Sequence, residues 1–267
     1  MEDNNSLYKP KLKHEVTYLV NTRQKTYKYS TEIYIPNKPY EKLIAGYEPT
    51  EKETRKQTPA NILSSEDKDT QSKQRAYSAI KDIALSNIFE LFATFTFKSG
   101  RDNPDQCKAK MSGWLKRQRK NDKSFQYIIV SEFHKDGISI HFHALISGYK
   151  GNISRAINPK TGKPLVKGRR KVYDFPNYTL GHSEVYYIGD SEEDRIKSAF
   201  YLTKYIRKEM PSFSNKKRYW SSRGLNKPIT IDNPEEWFFS ITPDHFIETP
   251  YGKFLYYDNK RIEIFLA

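Results

Sequence analysis

The sequence predicts an α+β domain, an antiparallel β-sheet with helices packed on it. Three observations carry that prediction. Leu91 to Phe97 (LFATFTF) alternates Phe and Thr with the period of two that marks a strand. Phe125 to Phe133 (FQYIIVSEF) and Ile138 to Ser147 (ISIHFHALIS) are rich in β-branched and aromatic residues and flank Asp136-Gly137, a dipeptide suited to a tight hairpin turn. Pro104 to Asn121 and Glu192 to Glu209 read as helices. The order strand, helix, strand, strand, basic loop, strand, helix suits an antiparallel sheet with helices on one face.

Taken from the start, residues 1 to about 48 are polar but β-leaning, with short strands expected at Val16 to Val20 and Glu32 to Ile35. Residues 49 to about 72 are charged and without periodicity, which predicts a flexible linker. A helix follows from Ser72 to Ile88, where Tyr77, Ile80, Ala84 and Leu85 fall near helical spacing; its apolar stripe is expected to pack on the sheet. After the Phe/Thr strand, the helix Pro104 to Asn121 offers Met111, Trp114 and Leu115 to a core. Its basic end, Lys116, Arg117, Arg119 and Lys120, suits either a solvated helix C-terminus or phosphate contact.

The hairpin is the most informative stretch. If Asp136 and Gly137 form its loop, Lys135 pairs with Ile138 and Glu132 lies directly across from His141. His143 is two residues on and so faces the same way. The other face, with Tyr127, Ile129, Phe133, Ile140, Phe142, Ala144 and Ile146, is a core face. Glu132, His141 and His143 then converge on the open side of the sheet as a partial ligand set for a divalent cation, leaving positions for water or substrate oxygens. His134, in the turn, is expected to be solvated rather than a fourth ligand. His182 and His245 are expected to be structural.

Residues 148 to 171 form a basic loop with a turn-rich tip, NPKTGKP, and a cluster, KGRRK. One or two strands are expected between Lys171 and Gly189, including Ser183 to Ile188. The last helix has Ser191 as its cap, an acidic start and a basic end, as the helix dipole favours. On a wheel of about 100° per residue, Ile196, Ala199, Phe200, Leu202, Thr203, Ile206 and Met210 gather on one side. Lys197, Tyr201, Lys204, Tyr205 and Lys208 gather on the other, which places both phenols on a basic, solvent-facing side. A phenol there, near ammonium groups and a metal-bound phosphate, loses its proton more easily and can attack phosphorus. The lysines can orient that phosphate or stabilise its developing charge.

Composition narrows the class of partner. Lys and Arg number 46 against 32 Asp and Glu, a net charge of +14, which points to a polyanion, nucleic acid before membrane. The 20 Tyr, 15 Phe and 3 Trp, interleaved with basic residues, suit stacking on unpaired bases, although most are expected to build the core. The single cysteine, Cys107, permits no internal disulfide and fits a reducing compartment. No apolar run approaches ~18 residues. The N-terminus lacks a secretory pattern. No GxxxxGK[ST] is present, which argues against a P-loop ATPase within this sequence.

These motifs together resemble the HUH endonucleases, and among them the rolling-circle replication initiators of small plasmids and phages. Phe92 to Phe97 matches their Thr-rich first strand. His141-Phe142-His143, with Glu132 upstream, matches their second motif. Tyr201-Leu202-Thr203-Lys204 and Tyr205-Ile206-Arg207-Lys208 match their third, and the doubling is similar to the two-tyrosine phage-type members. KKRYWSSRGLNKP, Lys216 to Pro228, is similar to a segment that follows the third motif. The resemblance covers residues 87 to 228, with 1 to 86 as an N-terminal extension and 229 to 267 as a C-terminal one of unassigned role.

The resemblance implies a sheet of ferredoxin-like, RRM-like topology. It implies Mg²⁺ or Mn²⁺ held by Glu132, His141 and His143. It implies nicking and rejoining of single-stranded or hairpin origin DNA through a 5′-phosphotyrosine on Tyr201 or Tyr205, with Lys204 and Lys208 assisting. It further implies a host DNA polymerase and helicase as partners, and the cytoplasm of a bacterial or phage-infected cell as the location. The apolar neighbours at 202 and 206 favour Tyr205 over Tyr201, which has Ser198 in one such place. KKRYW and the 163–171 loop are expected to grip DNA by stacking and phosphate contacts. Two other readings stay open. Relaxases of the same superfamily place the tyrosine before the HxH, whereas here both follow it, and the related transposases are shorter. A non-enzymatic single-strand-binding module of ferredoxin-like topology would share the charge and aromatics but has no need of Glu132 opposite His141.

Overall fold

The computed structural model describes residues 22–36, 65–207, 217–234, 240–249 and 252–266. The expected strand at 16–20, most of the expected linker and Lys208 lie outside them. The chain divides into two compact units, residues 64–227 and residues 1–63 with 228–267.

The unit made by the chain's two ends is a five-stranded antiparallel sheet. Strand β1 (Arg23–Thr26) and strand β2 (Ser30–Pro36) come from the N-terminal part; the expected 32–35 strand falls inside β2. The rest of this sheet comes from the other end of the chain, Ile229–Asp232, His245–Thr249 and Gly252–Asp258. Gly252–Asp258 pairs with β2, and Ile229–Asp232 pairs with β1. Ile33 and Tyr257 are buried at its centre with Ile241 and Ile262. Asn259, which opens the last helix (Asn259–Leu266), donates to the Tyr27 carbonyl at 3.0 Å and accepts from the Thr31 hydroxyl at 2.8 Å.

The central unit opens with helix α1 (Ser65–Ser86), which starts earlier than the periodicity of its apolar residues predicts. Strand β3 (Leu91–Phe95), helix α2 (Pro104–Asn121), strand β4 (Gln126–Phe133) and strand β5 (Ile140–Ser147) follow. Short strands β6 (Ser154–Arg155), β7 (Val166–Lys167), β8 (Arg170–Lys171) and β9 (Tyr173–Asp174) lead to β10 (Ser183–Tyr187). Helix α3 (Glu192–Lys204) continues as a 3₁₀ turn, Tyr205–Arg207, and β11 (Tyr219–Ser221) closes the unit. The sheet order is β11-β4-β5-β3-β10-β9-β6, with every pairing antiparallel. Since β5 is antiparallel to both β3 and β4, those two are parallel, and α2 is the crossover between them. This is the split βαβ arrangement of ferredoxin-like sheets. The mixed α+β class with antiparallel sheets and helices packed on them is as the sequence predicts.

Helices cover both faces of this sheet rather than one. Cys107, Met111, Trp114 and Leu115 of α2 are buried against Leu91, Ala93, Phe95, Ile129, Phe142, Ala144 and Ile146. Asn103 caps α2, its side-chain oxygen accepting from Gln106 N at 3.0 Å, and Pro104 occupies the first turn. The opposite face presents Phe92, Ile128, Val130 and Leu145, all buried, and α1 and α3 pack there. The runs IIV and ALI are apolar at consecutive positions, the mark of a strand buried on both sides, so an alternation argument accounts for only one of the two layers.

Candidate metal and tyrosine site

The strand register places the site. In the β4–β5 hairpin Glu132 pairs with His141 and Val130 with His143, and in the β3–β5 pair Thr94 faces His143. The register is the one expected, but the connection is longer than a two-residue turn. The strands end at Phe133 and resume at Ile140, and His134 N donates to Ser139 O at 2.7 Å. Asp136 holds the loop by accepting from Ile138 N, Ser139 N and the Ser139 hydroxyl, at 2.9, 2.8 and 2.6 Å. Gly137 takes φ 69°, which favours glycine.

Glu132, His141 and His143 have ligand atoms that all lie within 4.8 Å of one another. Glu132 and His143 are buried, and Glu132 Oε1 lies 2.8 Å from His143 Nε2. The other ring nitrogen, Nδ1, is 3.0 Å from the Thr94 hydroxyl. That hydroxyl both donates and accepts, so it supports whichever tautomer leaves Nε2 free. Burial lowers the His141 imidazole to about 4, with the His134 and His143 rings adding to the effect and the Glu132 and Asp136 carboxylates opposing it. His141 is therefore neutral near pH 7, the form that donates a lone pair to a metal. His134 stands beside it, ring centroids 4.6 Å apart, but is exposed and outside the trio.

The donor set fits a divalent cation. Two imidazole nitrogens and one carboxylate suit borderline and hard first-row ions, and two bonds of about 2.1 Å span a distance close to the observed spread. A buried carboxylate beside a neutral imidazole is costly without a further positive partner, which a cation supplies.

Helix α3 brings both tyrosines to this face. Ser191 caps it, the hydroxyl accepting from Asp194 N at 3.1 Å. The two phenols are not equivalent. Tyr205 is 6% exposed and its ring lies flat on His143, centroids 3.7 Å apart and planes within 8°. Tyr201 is 48% exposed, edge-on to Tyr205 at 5.4 Å and to Phe92 at 5.2 Å, with Lys204 Nζ 6.0 Å from its ring centre. The shared solvent-facing side expected from the wheel therefore holds for Tyr201 and Lys204 but not for Tyr205, while Phe200, expected inward, is exposed. The reason is tertiary: the flat imidazole of His143 offers a stacking partner at the point where the helix tightens into the 3₁₀ turn. Burial raises the Tyr205 phenol well above its ordinary value, with its hydrogen bond to Tyr201 and the charges of Tyr201 and Glu132 adding. The surroundings this chain makes for Tyr205 oppose ionisation, the reverse of the expectation from neighbouring lysines.

Other expected contacts divide. The 163–171 loop is the exposed β7–β8 hairpin, tied to β10 by an ion pair between Lys167 and Glu184. KKRYW is largely sheet: Tyr219 and Trp220 sit in β11 against β4, Trp220 packs on Phe142 at 5.9 Å, and Arg218 is ion-paired to Asp69; Lys216 lies outside the described residues. Arg119 donates to the Arg223 carbonyl at 3.1 Å, while Lys116, Arg117 and Lys120 are exposed. Sequence reasoning singled out neither Thr94 as a partner of His143 nor His182 as an exposed side chain beside the site; the cross-strand pairing of the Phe/Thr strand with the HxH strand was the signal for the first.

Residues 90–210 match the family model of the replication-associated proteins of the ORF2 and gene 2 protein type. The matched stretch is a little under half of the chain and runs from the residue before β3 to just beyond the second tyrosine, so it includes the whole trio. No curated protein and no solved structure matches the chain.

Proposed function

We propose that a replication-associated chain with this site is a rolling-circle initiator of the HUH type, which cuts one DNA strand at an origin and holds its 5′ end on a tyrosine. The observation that carries the reading is the convergence of the trio and the tyrosines. One phenol is stacked on a trio imidazole, and the second is hydrogen-bonded to the first.

Glu132, His141 and His143 would hold Mg²⁺ or Mn²⁺. When bound there, the cation would withdraw charge from the oxygens of the scissile phosphate. Tyr201 is the nucleophile in this arrangement, because its hydroxyl is reachable from solvent and the buried Tyr205 is not. Its oxygen bonds to phosphorus and the phosphorus–O3′ bond breaks. The phenolic proton is lost and the departing 3′ oxygen gains one, leaving a 5′-phosphotyrosine and a 3′-hydroxyl. One phosphoester replaces another, so no nucleotide need be hydrolysed, and attack by a 3′-hydroxyl reverses the step and rejoins the strand. Lys204 stabilises negative charge beside Tyr201, and Lys208 would do the same for Tyr205. Tyr205 steadies Tyr201 through the hydrogen bond and would serve a second transfer only after leaving His143. The free 3′-hydroxyl would prime a host polymerase, with a helicase supplied in trans.

Incubating the protein with labelled single-stranded origin DNA and Mn²⁺ tests the reading. A covalent adduct is expected from the wild type, reduced by about 100-fold or more in Tyr201→Phe and retained in single turnover by Tyr205→Phe. Tight binding without any adduct would leave a single-strand-binding module instead. Loss of the adduct in Tyr205→Phe alone would reverse the two tyrosines' roles.

A further inference from the structure

Next to the trio lies a cleft of about 440 Å³. It shares His141 with the trio, and neither tyrosine lines it. Its walls are backbone segments held together beyond the end of β3. Thr96 N donates to the His182 carbonyl at 2.9 Å, and the Thr96 hydroxyl accepts from His182 N at 3.0 Å. Lys98 N donates to Leu180 O at 2.8 Å, and Ile140 N donates to Arg101 O at 2.8 Å. Gly181 permits this close approach, because a Cβ there would stand 2.1 Å from the Thr96 carbonyl oxygen.

Lys98, Arg101, His134 and His182 surround the opening with exposed side chains. None of Lys98, Arg101 and His182 forms an ion pair with a described residue. The one acid in the lining, Asp136, directs its carboxylate to the hairpin turn, three donors from residues 138 and 139 satisfying it. The cleft is thus rich in uncommitted N–H donors and poor in negative charge. Its aromatic residue outside the imidazoles, Phe97, is buried in the core and offers no free ring face for a base. The chemistry selects an oxyanion over a nucleobase.

We propose that this cleft is a second phosphate subsite. Lys98, Arg101 and His182 hold a backbone phosphate of the same DNA strand, neighbouring the scissile one. Holding it fixes which phosphodiester lies at the trio. The proposal rests on the reading that a single strand is cut there, and it adds a specificity element that the tyrosines and the metal ligands do not supply.

The test uses the full chain and a fluorescent oligonucleotide carrying the origin site, with single methylphosphonates replacing each phosphate around the cut in turn. Binding is measured by anisotropy without metal, and adduct formation with Mn²⁺. One neighbouring methylphosphonate is expected to weaken wild-type binding about tenfold and to have little further effect on a Lys98→Ala/Arg101→Ala variant. That variant should also show a salt slope lower by about 0.7, the share of one phosphate that the protein no longer neutralises. His182→Gln should weaken binding in the same position-dependent way. A Lys98→Gln/Arg101→Gln variant with an unchanged thermal midpoint guards against misfolding. Equal effects of every methylphosphonate on wild type and variants, or an unchanged salt slope, overturns the subsite. So does inorganic phosphate occupying the cleft while the oligonucleotide is bound with undiminished affinity, which marks it as a free-phosphate site. If no adduct forms but the position-dependent loss persists, the nicking reading fails and the subsite stands.

Discussion

At the scale of the residue, the site depends on how His143 is held between three neighbours. Glu132 meets Nε2, Thr94 meets Nδ1, and Tyr205 covers the ring face. A ligating histidine whose second nitrogen is fixed by a hydrogen bond binds metal more tightly, and removal of such a partner commonly lowers affinity by about 10–100-fold. Replacing Thr94 by the near-isosteric Val removes the hydroxyl without opening a cavity. Mn²⁺ affinity, read by isothermal titration, is expected to fall at least about tenfold in Thr94→Val and to be kept in Thr94→Ser. Equal affinity in Thr94→Val and wild type would show that stacking by Tyr205 is sufficient to orient the ring. Cys107 plays no part in this chemistry: it is buried, its thiol contacts the Gly100 carbonyl at 3.1 Å, and burial pushes it up to about 11.

At the scale of the element, the β3 strand and its continuation organise both the trio and the cleft. Thr94 points to the metal face, while Ala93 and Phe95 on either side point into the α2 core. Beyond Phe95 the same chain pins the 180–182 segment, with Gly181 flush against it. In Gly181→Ala the added methyl meets backbone rather than a movable side chain, so the segment must shift. A destabilisation of about 1–3 kcal/mol is expected, as for overpacked interiors. It would be seen as a lower denaturant midpoint with unchanged slope. An unchanged midpoint would mean that the segment relaxes freely and that His182 is not rigidly placed.

At the scale of the whole molecule, the trio, both tyrosines and the cleft belong to the 64–227 unit, whose core is built from its own residues. A fragment of residues 64–227 is accordingly expected to unfold cooperatively and to bind Mn²⁺ with wild-type affinity. Fragment affinity reduced more than about tenfold would mean that the terminal residues support the site. Among the described residues no helix is long and apolar enough to cross a membrane. The net charge of +14 remains the molecule-wide feature that favours a polyanion.

The local arrangement of the site was legible because a strand has a side-chain period of two and a hairpin has a fixed pairing sum. Those two facts place Glu132 across from His141, and His143 on the same face, without knowledge of the rest of the chain. The α2 helix was equally legible, since its cap, its proline and its apolar stripe all lie in or next to it. What only the tertiary structure decided are the non-local encounters. The union of strands from both chain ends in one sheet has no local signature, because β1 is a polar strand, RQKT, paired across most of the chain's length. The burial of Tyr205 and the exposure of Tyr201 depend on which side of α3 meets His143, and a helical wheel fixes residues relative to one another but not to a sheet. The cationic cleft arises only where Lys98, Arg101 and His182, separated in sequence, are drawn together by backbone hydrogen bonds, which residue type alone does not specify.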